Sequence, residues 1–384
     1  MKNYYGYSIL LFLAVLTYSC SDKDAAYDGI RLIDGNGAVP ASLEEFATDI
    51  DVIPLHSDEP VDVDYIGIYG DELLVVDSRL EKLWYFKDFQ LVSTLSAKGR
   101  GAGEYDLINY CAYSPSTHTL YIAPSNRKCI LHYDVPSMRY KGVTQFADFY
   151  SRSFDLTDDS TFVMVRRFDD GRFDMAVVDA NTGTVKKSMD IIENGEGFFM
   201  NVTSRTPYRN AVGLDGRINR IGLLEADGRF VAVDSFRFAD GLPEKVVRNN
   251  SSDDLSEKLK AVSYKFTEHY CDGMLRPVIN ENGYCFWYSY HNPVDGSPSR
   301  LHLYGWSGDR EIHVQEFTVP GTNVRISSFA LTSDNRYVDA IQGPAEMIMD
   351  SKTAQSPLAR RIISALDNQN DDNPVLIYYR IPGF

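Results

Sequence analysis

The chain has 384 residues, enough for two average domains or for one large all-β domain with a sizeable core. Hydrophobic residues make up 44% and charged residues 24%, which excludes both a disordered chain and a multi-span membrane protein. Thirty-eight Lys and Arg stand against 54 Asp and Glu, a formal charge of −16. A basic footprint for nucleic acid is therefore absent.

Lys2 begins a short basic stretch, and residues 8–16 form an apolar run in which Ser8 is the only polar member. That run is too short to cross about 30 Å of hydrocarbon as a helix, but it suits the centre of a secretory signal. Thr17-Tyr18-Ser19-Cys20 follows, a small residue and then a cysteine. This resembles the lipobox of bacterial lipoproteins, although Thr17 stands where Leu is usual and Tyr18 is bulky. The resemblance implies a signal peptide over 1–19, acylation of Cys20 and a flexible tether over 20–29. The alternative is an ordinary signal peptide with an incidental cysteine. Ser21 resembles the outer-membrane sorting preference, and Ser21-Asp22-Lys23-Asp24 resembles the acidic start of surface-exported lipoproteins. The implied partner is thus the membrane, through a lipid anchor, with the outer membrane and cell surface as location and a periplasm-facing placement as alternative. Cys111, Cys129, Cys271 and Cys285 then lie where disulfides persist, and three pairings or buried free thiols are all open.

From residue 72 onward, short β-rich runs recur between turn residues, at 72–77, 82–86, 91–95, 110–113, 119–123, 129–133, 153–156, 161–165 and 175–179. A longer period overlies them. Equivalent second-strand positions fall near Leu74, Tyr121, Phe162, Val212, Phe286 and Val338, with gaps of 47, 41, 50, 74 and 52. These are lengths of a four-stranded propeller blade with its loops. The long fourth gap contains Asp254 and Glu257 as a capping box, with Leu255, Leu259 and Val262 on one helical face. A second helix is expected over 357–366, capped by Ser356, with Leu358, Ile362 and Leu366 as its apolar stripe. A polar turn at 367–373 and a terminal strand at 375–379 complete the chain. Six repeats imply a ring closed by an early strand, near 50–55, pairing with the last blade. The expected fold is all-β, a six-bladed β-propeller over 30–384 with two small helical insertions.

Residues 96–105 contain Gly99, Gly101, Gly103, Glu104 and Tyr105. They resemble the G-x-G-P-G-E-Y/F turn of six-bladed propeller lipoproteins, the TolB-like, NHL-related group of unknown function, with Ala102 replacing Pro. The resemblance implies a structural turn between the first and second blades. A phosphate-binding loop is the rival, but the turn has neither G-x-G-x-x-G spacing nor a following Lys-Ser/Thr.

No G-x-S-x-G, H-E-x-x-H or paired-histidine metal motif occurs, so no catalytic residue, metal or cofactor is expected. His302 and His313 read as neighbours across a hairpin, and the acidic 367–373 stretch as a solvated turn. Arg166, Arg167, Arg205, Arg209 and Arg276 recur near strands of consecutive blades in an acidic chain. Arg166, Arg205, Arg209 and Arg276 are candidate ligand-binding residues, at least two of which are expected to converge on an anion by forked hydrogen bonds, against the alternative that each pairs with its own carboxylate. The functional expectation is a non-catalytic binding or assembly module for a glycan, a peptide or an envelope protein, the inserted helix being one docking element. A propeller-hosted lyase or hydrolase acting on an extracellular polymer is the alternative, and a His–carboxylate cluster at the channel mouth would mark it.

Overall fold

A computed structural model describes residues 30–384 except 171–172, 190–199, 207–208, 215–217, 226–228, 244–245, 247–253, 294–299, 309, 328–329, 344–355 and 368–372. The segments expected as signal peptide and tether, Cys20 and most of the acidic 367–373 turn therefore lie outside the described residues.

The chain enters along the outside of the molecule. β1 (Arg31–Ile33) leads through a 3-10 turn to α1 (Leu43–Phe46) and β2 (Thr48–Pro54). Blade 1 comprises β3 (Tyr65–Tyr69), β4 (Glu72–Asp77), β5 (Lys82–Lys87) and β6 (Gln90–Leu95). Blade 2 comprises β7 (Ile108–Ser114), β8 (Thr119–Pro124), β9 (Cys129–Asp134) and β10 (Tyr140–Gln145). In blade 3 follow β11 (Phe149–Asp158), β12 (Thr161–Phe168), β13 (Phe173–Asp179) and β14 (Val185–Met189). Blade 4 holds β15 (Met200–Thr206), β16 (Arg209–Leu214), β17 (Asn219–Leu224) and β18 (Phe230–Phe238), with β1 added in parallel at its edge. Then α2 (Leu255–Thr267) precedes blade 5: β19 (Tyr270–Ile279), β20 (Tyr284–His291), β21 (Arg300–Ser307) and β22 (Arg310–Gln315). A hairpin of β23 (Phe317–Thr318) and β24 (Arg325–Ile326) leads to blade 6. That blade joins β25 (Ala330–Leu331), β26 (Tyr337–Ile341) and β27 (Val375–Arg380), with α3 (Pro357–Asp367) between the last two.

The protein is a six-bladed β-propeller. Leu74, Tyr121, Phe162, Val212, Phe286 and Val338 each fall in the second strand of a separate blade, as the repeat period requires. β2 pairs antiparallel with β27 and so closes the ring. Middle strands are sandwiched by neighbouring blades on both faces; β4 and β8 are buried at every position and read as apolar runs with polar residues only at their ends, Glu72, Asp77 and Thr119. Outer strands such as β6 and β10 are wetted and carry mixed residues. The apolar cores accordingly lie between blades: Tyr105 and Tyr113 between blades 1 and 2, Phe154 and Phe162 between 2 and 3, Phe236 and Phe286 between 4 and 5, Trp287 and Tyr379 between 5 and 6.

An unexpected feature is the N-terminal strap. After β1 it pairs Val39 with Val314 of β22 and Ser42 with Thr318, then becomes the outer strand of blade 6. It thus covers edges of blades 4, 5 and 6 that would otherwise invite intermolecular pairing. Both helices form where the sequence places them. Asp254 caps α2 by accepting from Ser256 N at 2.8 Å, and Ser356 Oγ accepts from Ala359 N at 3.0 Å at the start of α3. The α3 stripe of Leu358, Ile362 and Leu366 is buried, whereas the α2 stripe faces solvent. All four described cysteines are buried free thiols.

Candidate ligand-binding site at the propeller axis

First strands of adjacent blades touch one another, β7 with β11, β11 with β15, β15 with β19 and β25 with β3, so the first strands line the axis. In β19 the pairing with β20 breaks between Leu275 and Val278, and Arg276 sits there at φ +50°. Pro277 has no N–H to give to the ladder, so the strand bulges at this point. A left-handed backbone costs a non-glycine residue about 1–2 kcal/mol. Its surroundings hold it in place: the Tyr337 hydroxyl donates to the Arg276 carbonyl at 3.3 Å and lies 3.2 Å from Cys285 Sγ.

The bulge aims the guanidinium toward the axis. Burial lowers the Arg276 pKa from its ordinary value, opposed by Asp339 of β26, Tyr379 of β27, Tyr110 of β7 and Tyr65 of β3. Asp155 of β11 faces the same two first-strand tyrosines. Blades 1, 2, 3, 5 and 6 therefore contribute to one polar cluster. Tyr65 and Tyr110 lie with ring centroids 6.0 Å apart, and Tyr110 is 5.9 Å from Phe154, which gives an aromatic wall. Tyr65, Tyr110, Asp155 and Arg276 are enclosed by protein yet keep partial contact with solvent. Among the described residues, no ion pair or hydrogen bond occupies the Arg276 guanidinium.

Asp339 forms the buried back of the cluster. Ser327 N donates to its Oδ2 at 2.6 Å and Ala340 N to its Oδ1 at 2.8 Å. Burial nevertheless pushes its pKa up to about 6, beyond what these amides and Arg276 offset. The Tyr379 hydroxyl donates to the Ser327 carbonyl and fixes the loop that supplies one of those amides. The arrangement offers a guanidinium fork, two tyrosine faces and a buried carboxylate whose pKa is raised.

The other arginines lie elsewhere. Arg166, in the second strand of blade 3, is buried and paired with Asp174 of β13, its Nε donating to Oδ1 at 2.7 Å and its Nη2 to Ser188 Oγ at 2.9 Å. Phe149 and Phe168 flank its guanidinium. Arg205 and Arg209 belong to β15 and β16 of blade 4, and their side chains lie outside the described residues. Tyr65, Tyr110, Asp155 and Asp339 were not picked out from the sequence. The available signal was Asp339 itself, an acid inside the apolar run Tyr337-Val338-Asp339-Ala340-Ile341.

The glycine-rich turn sits at the junction of β6 and β7. Glu104 Oε2 accepts from Gly101 N at 2.7 Å, and a Cβ at Gly99 would meet that carboxylate. Only Gly103 has a positive φ, +74°, and a Cβ there would lie 2.6 Å from the Tyr140 ring. Tyr105 is fully buried and donates to the Glu81 carbonyl at 3.0 Å, tying the two blades. His302 and His313 occupy β21 and β22, away from the axis. The Tyr288 hydroxyl is 2.6 Å from His313 Nε2 and 3.3 Å from His302 Nδ1, and burial lowers both histidine pKa values, His302 to about 4. Among the described residues, no group of three His, Cys, Asp or Glu could hold a metal ion.

Fold and site define a six-bladed propeller with a polar, partly wetted axial cluster. The DUF5128 family, described as a 6-bladed beta-propeller, matches residues 22–211, just under half of the chain. A solved protein of Bacteroides fragilis NCTC 9343, described as exported, is similar at 14% identity and a TM-score of 0.64, over 91% of this chain and 99% of that one. A DUF4221 member from Bacteroides vulgatus ATCC 8482 is similar at 11% identity and a TM-score of 0.51, over 88% and 98%. At these identities the likeness is one of fold. No curated protein matches the chain.

Proposed function

We propose that this protein is a lipid-anchored, extracytoplasmic binding module that takes a carboxylate-bearing ligand, such as an acidic glycan, at the propeller axis. The observation that carries the reading is Arg276: an arginine held in a left-handed bulge, aimed at the axis beside an aromatic wall, its guanidinium without a hydrogen bond among the described residues. Strained backbone persists where surrounding structure over-determines it, and such positions gather at functional sites. Each charged hydrogen bond to a ligand carboxylate contributes about 1.5–3 kcal/mol. Tyr65 and Tyr110 supply faces for sugar rings, and binding requires no bond-making. The anchor rests on the lipobox resemblance at Cys20, and the TolB-like turn is consistent with a propeller lipoprotein on the outer membrane.

Calorimetric titration across paired acidic and neutral glycans tests the site. Acidic members are expected to bind, with a loss of at least ten-fold in Arg276→Ala. Equal binding of neutral analogues, or no loss in that variant, overturns the ligand assignment. For the anchor, Cys20→Ala is expected to abolish fatty-acid labelling and release the protein from membranes, and unchanged retention overturns it.

A further inference from the structure

Leu255, Leu259 and Val262 are 68%, 58% and 42% exposed, and all three lie within one narrow sector of α2. Ala261, on another side of the helix, is fully buried. With Glu257, Tyr264 and Lys265 on that side half-buried, the helix turns its apolar stripe outward, the reverse of an ordinary surface helix. α2 carries Lys258, Lys260 and Lys265 against Glu257 and its two acidic caps, Asp254 and Glu268, so it is locally balanced in a chain of net charge −16. Lys258 and Lys265 border the outward apolar stripe on one side, as on a helix lying in a membrane interface, while Lys260 is turned away and pairs with Glu257 at 2.6 Å.

The N-terminal strap beside α2 selects that occupant. The strap and α2 meet at Asp240: its Oδ2 accepts from Asn36 Nδ2 of the strap at 2.9 Å, His269 just beyond α2 lies 3.8 Å from its Oδ1, and Tyr264 of α2 feels its charge. Only the ten residues from Cys20 to Gly29 separate the lipid-bearing position from the described strap. Ten residues span at most about 36 Å extended, and about 17–19 Å as flexible coil. A 13-residue helix is about 20 Å long, so α2 lies within reach of the surface the anchor occupies.

We infer that α2 is a membrane-docking element, its Leu255–Leu259–Val262 face seated in the lipid interface and Lys258 and Lys265 beside it on anionic headgroups, which fixes how the propeller stands on the bilayer. The inference rests on the anchored reading of Cys20 but is tested without it. The mature unlipidated chain, residues 21–384, retains every described element and is sedimented with vesicles of phosphatidylglycerol and phosphatidylcholine. Binding is expected, weakened at least ten-fold by the combined Leu255→Ser, Leu259→Ser and Val262→Ser substitutions, and weakened by salt or by phosphatidylcholine alone. Because these side chains are exposed, the variant is expected to keep its unfolding midpoint. As a second measurement, Leu259→Trp is expected to shift its emission to the blue on the same vesicles. Absence of binding, equal binding by the triple variant, or no shift overturns the inference and leaves the face to a protein partner. Fatty-acid labelling of Cys20 is read separately, so failure of the anchor and failure of the docking face are distinguishable.

Discussion

Replacing Arg276 by glycine separates strain from recognition. At φ +50° the arginine bears about 1–2 kcal/mol of backbone strain that glycine does not, while glycine loses about 0.5–1 kcal/mol more chain entropy on folding. The balance favours the variant by about 0.5–1 kcal/mol, provided the guanidinium contributes little to folding. Asp339 decides when that proviso holds. Its pKa is pushed up to about 6, so at pH 5 it is mostly neutral and has little need of a cation. At pH 8 it is a buried carboxylate deprived of its nearest positive charge, at a cost of about 1–3 kcal/mol. Arg276→Gly is therefore expected to be slightly more stable than the parent at pH 5 and less stable at pH 8, in urea unfolding followed by tryptophan fluorescence. Acidic ligands are expected to lose affinity at both pH values. A loss above about 1 kcal/mol at pH 5 would show the guanidinium to be a structural strut, and an effect independent of pH would refute its coupling to Asp339.

Further outcomes follow from other parts of the ring. Because the folded pKa of Asp339 is raised, its contribution to stability is fully present below about pH 4 and lost as pH rises through about 6. Relative to wild type, Asp339→Asn is expected to gain about 2 kcal/mol between pH 4.5 and 7.5, and a flat difference would contradict the assignment. Gly103→Ala is expected to cost about 2–4 kcal/mol, from a left-handed backbone and a clash with Tyr140; a cost below about 1 kcal/mol would show that the turn gives way. Burial pushes the Cys111 and Cys285 thiols up to about 12, so neither is expected to react with an aromatic disulfide reagent at pH 8 until the protein is unfolded. Rapid labelling of the native protein would count against that burial.

The blade count was legible in the sequence because each blade repeats the same solvation pattern. A sheet buried on both faces must carry an apolar second strand, and that strand recurred at Leu74, Tyr121, Phe162, Val212, Phe286 and Val338. Capping residues and turn glycines are likewise local, so both helices and the junction at Gly103 were fixed by neighbours within a few residues. The free state of the cysteines, the strap across blades 4 to 6 and the axial cluster were not local. Arg166 and Arg276 look alike as letters. One meets Asp174 across a hairpin only eight residues on, and the other is turned to the axis by a bulge and meets residues more than sixty positions away on other blades. The outward face of α2 was decided in the same way. Its spacing gave an apolar stripe, but whether that stripe meets the propeller or the solvent depends on how the ring orients the helix, and that orientation is set by contacts the helix sequence does not contain.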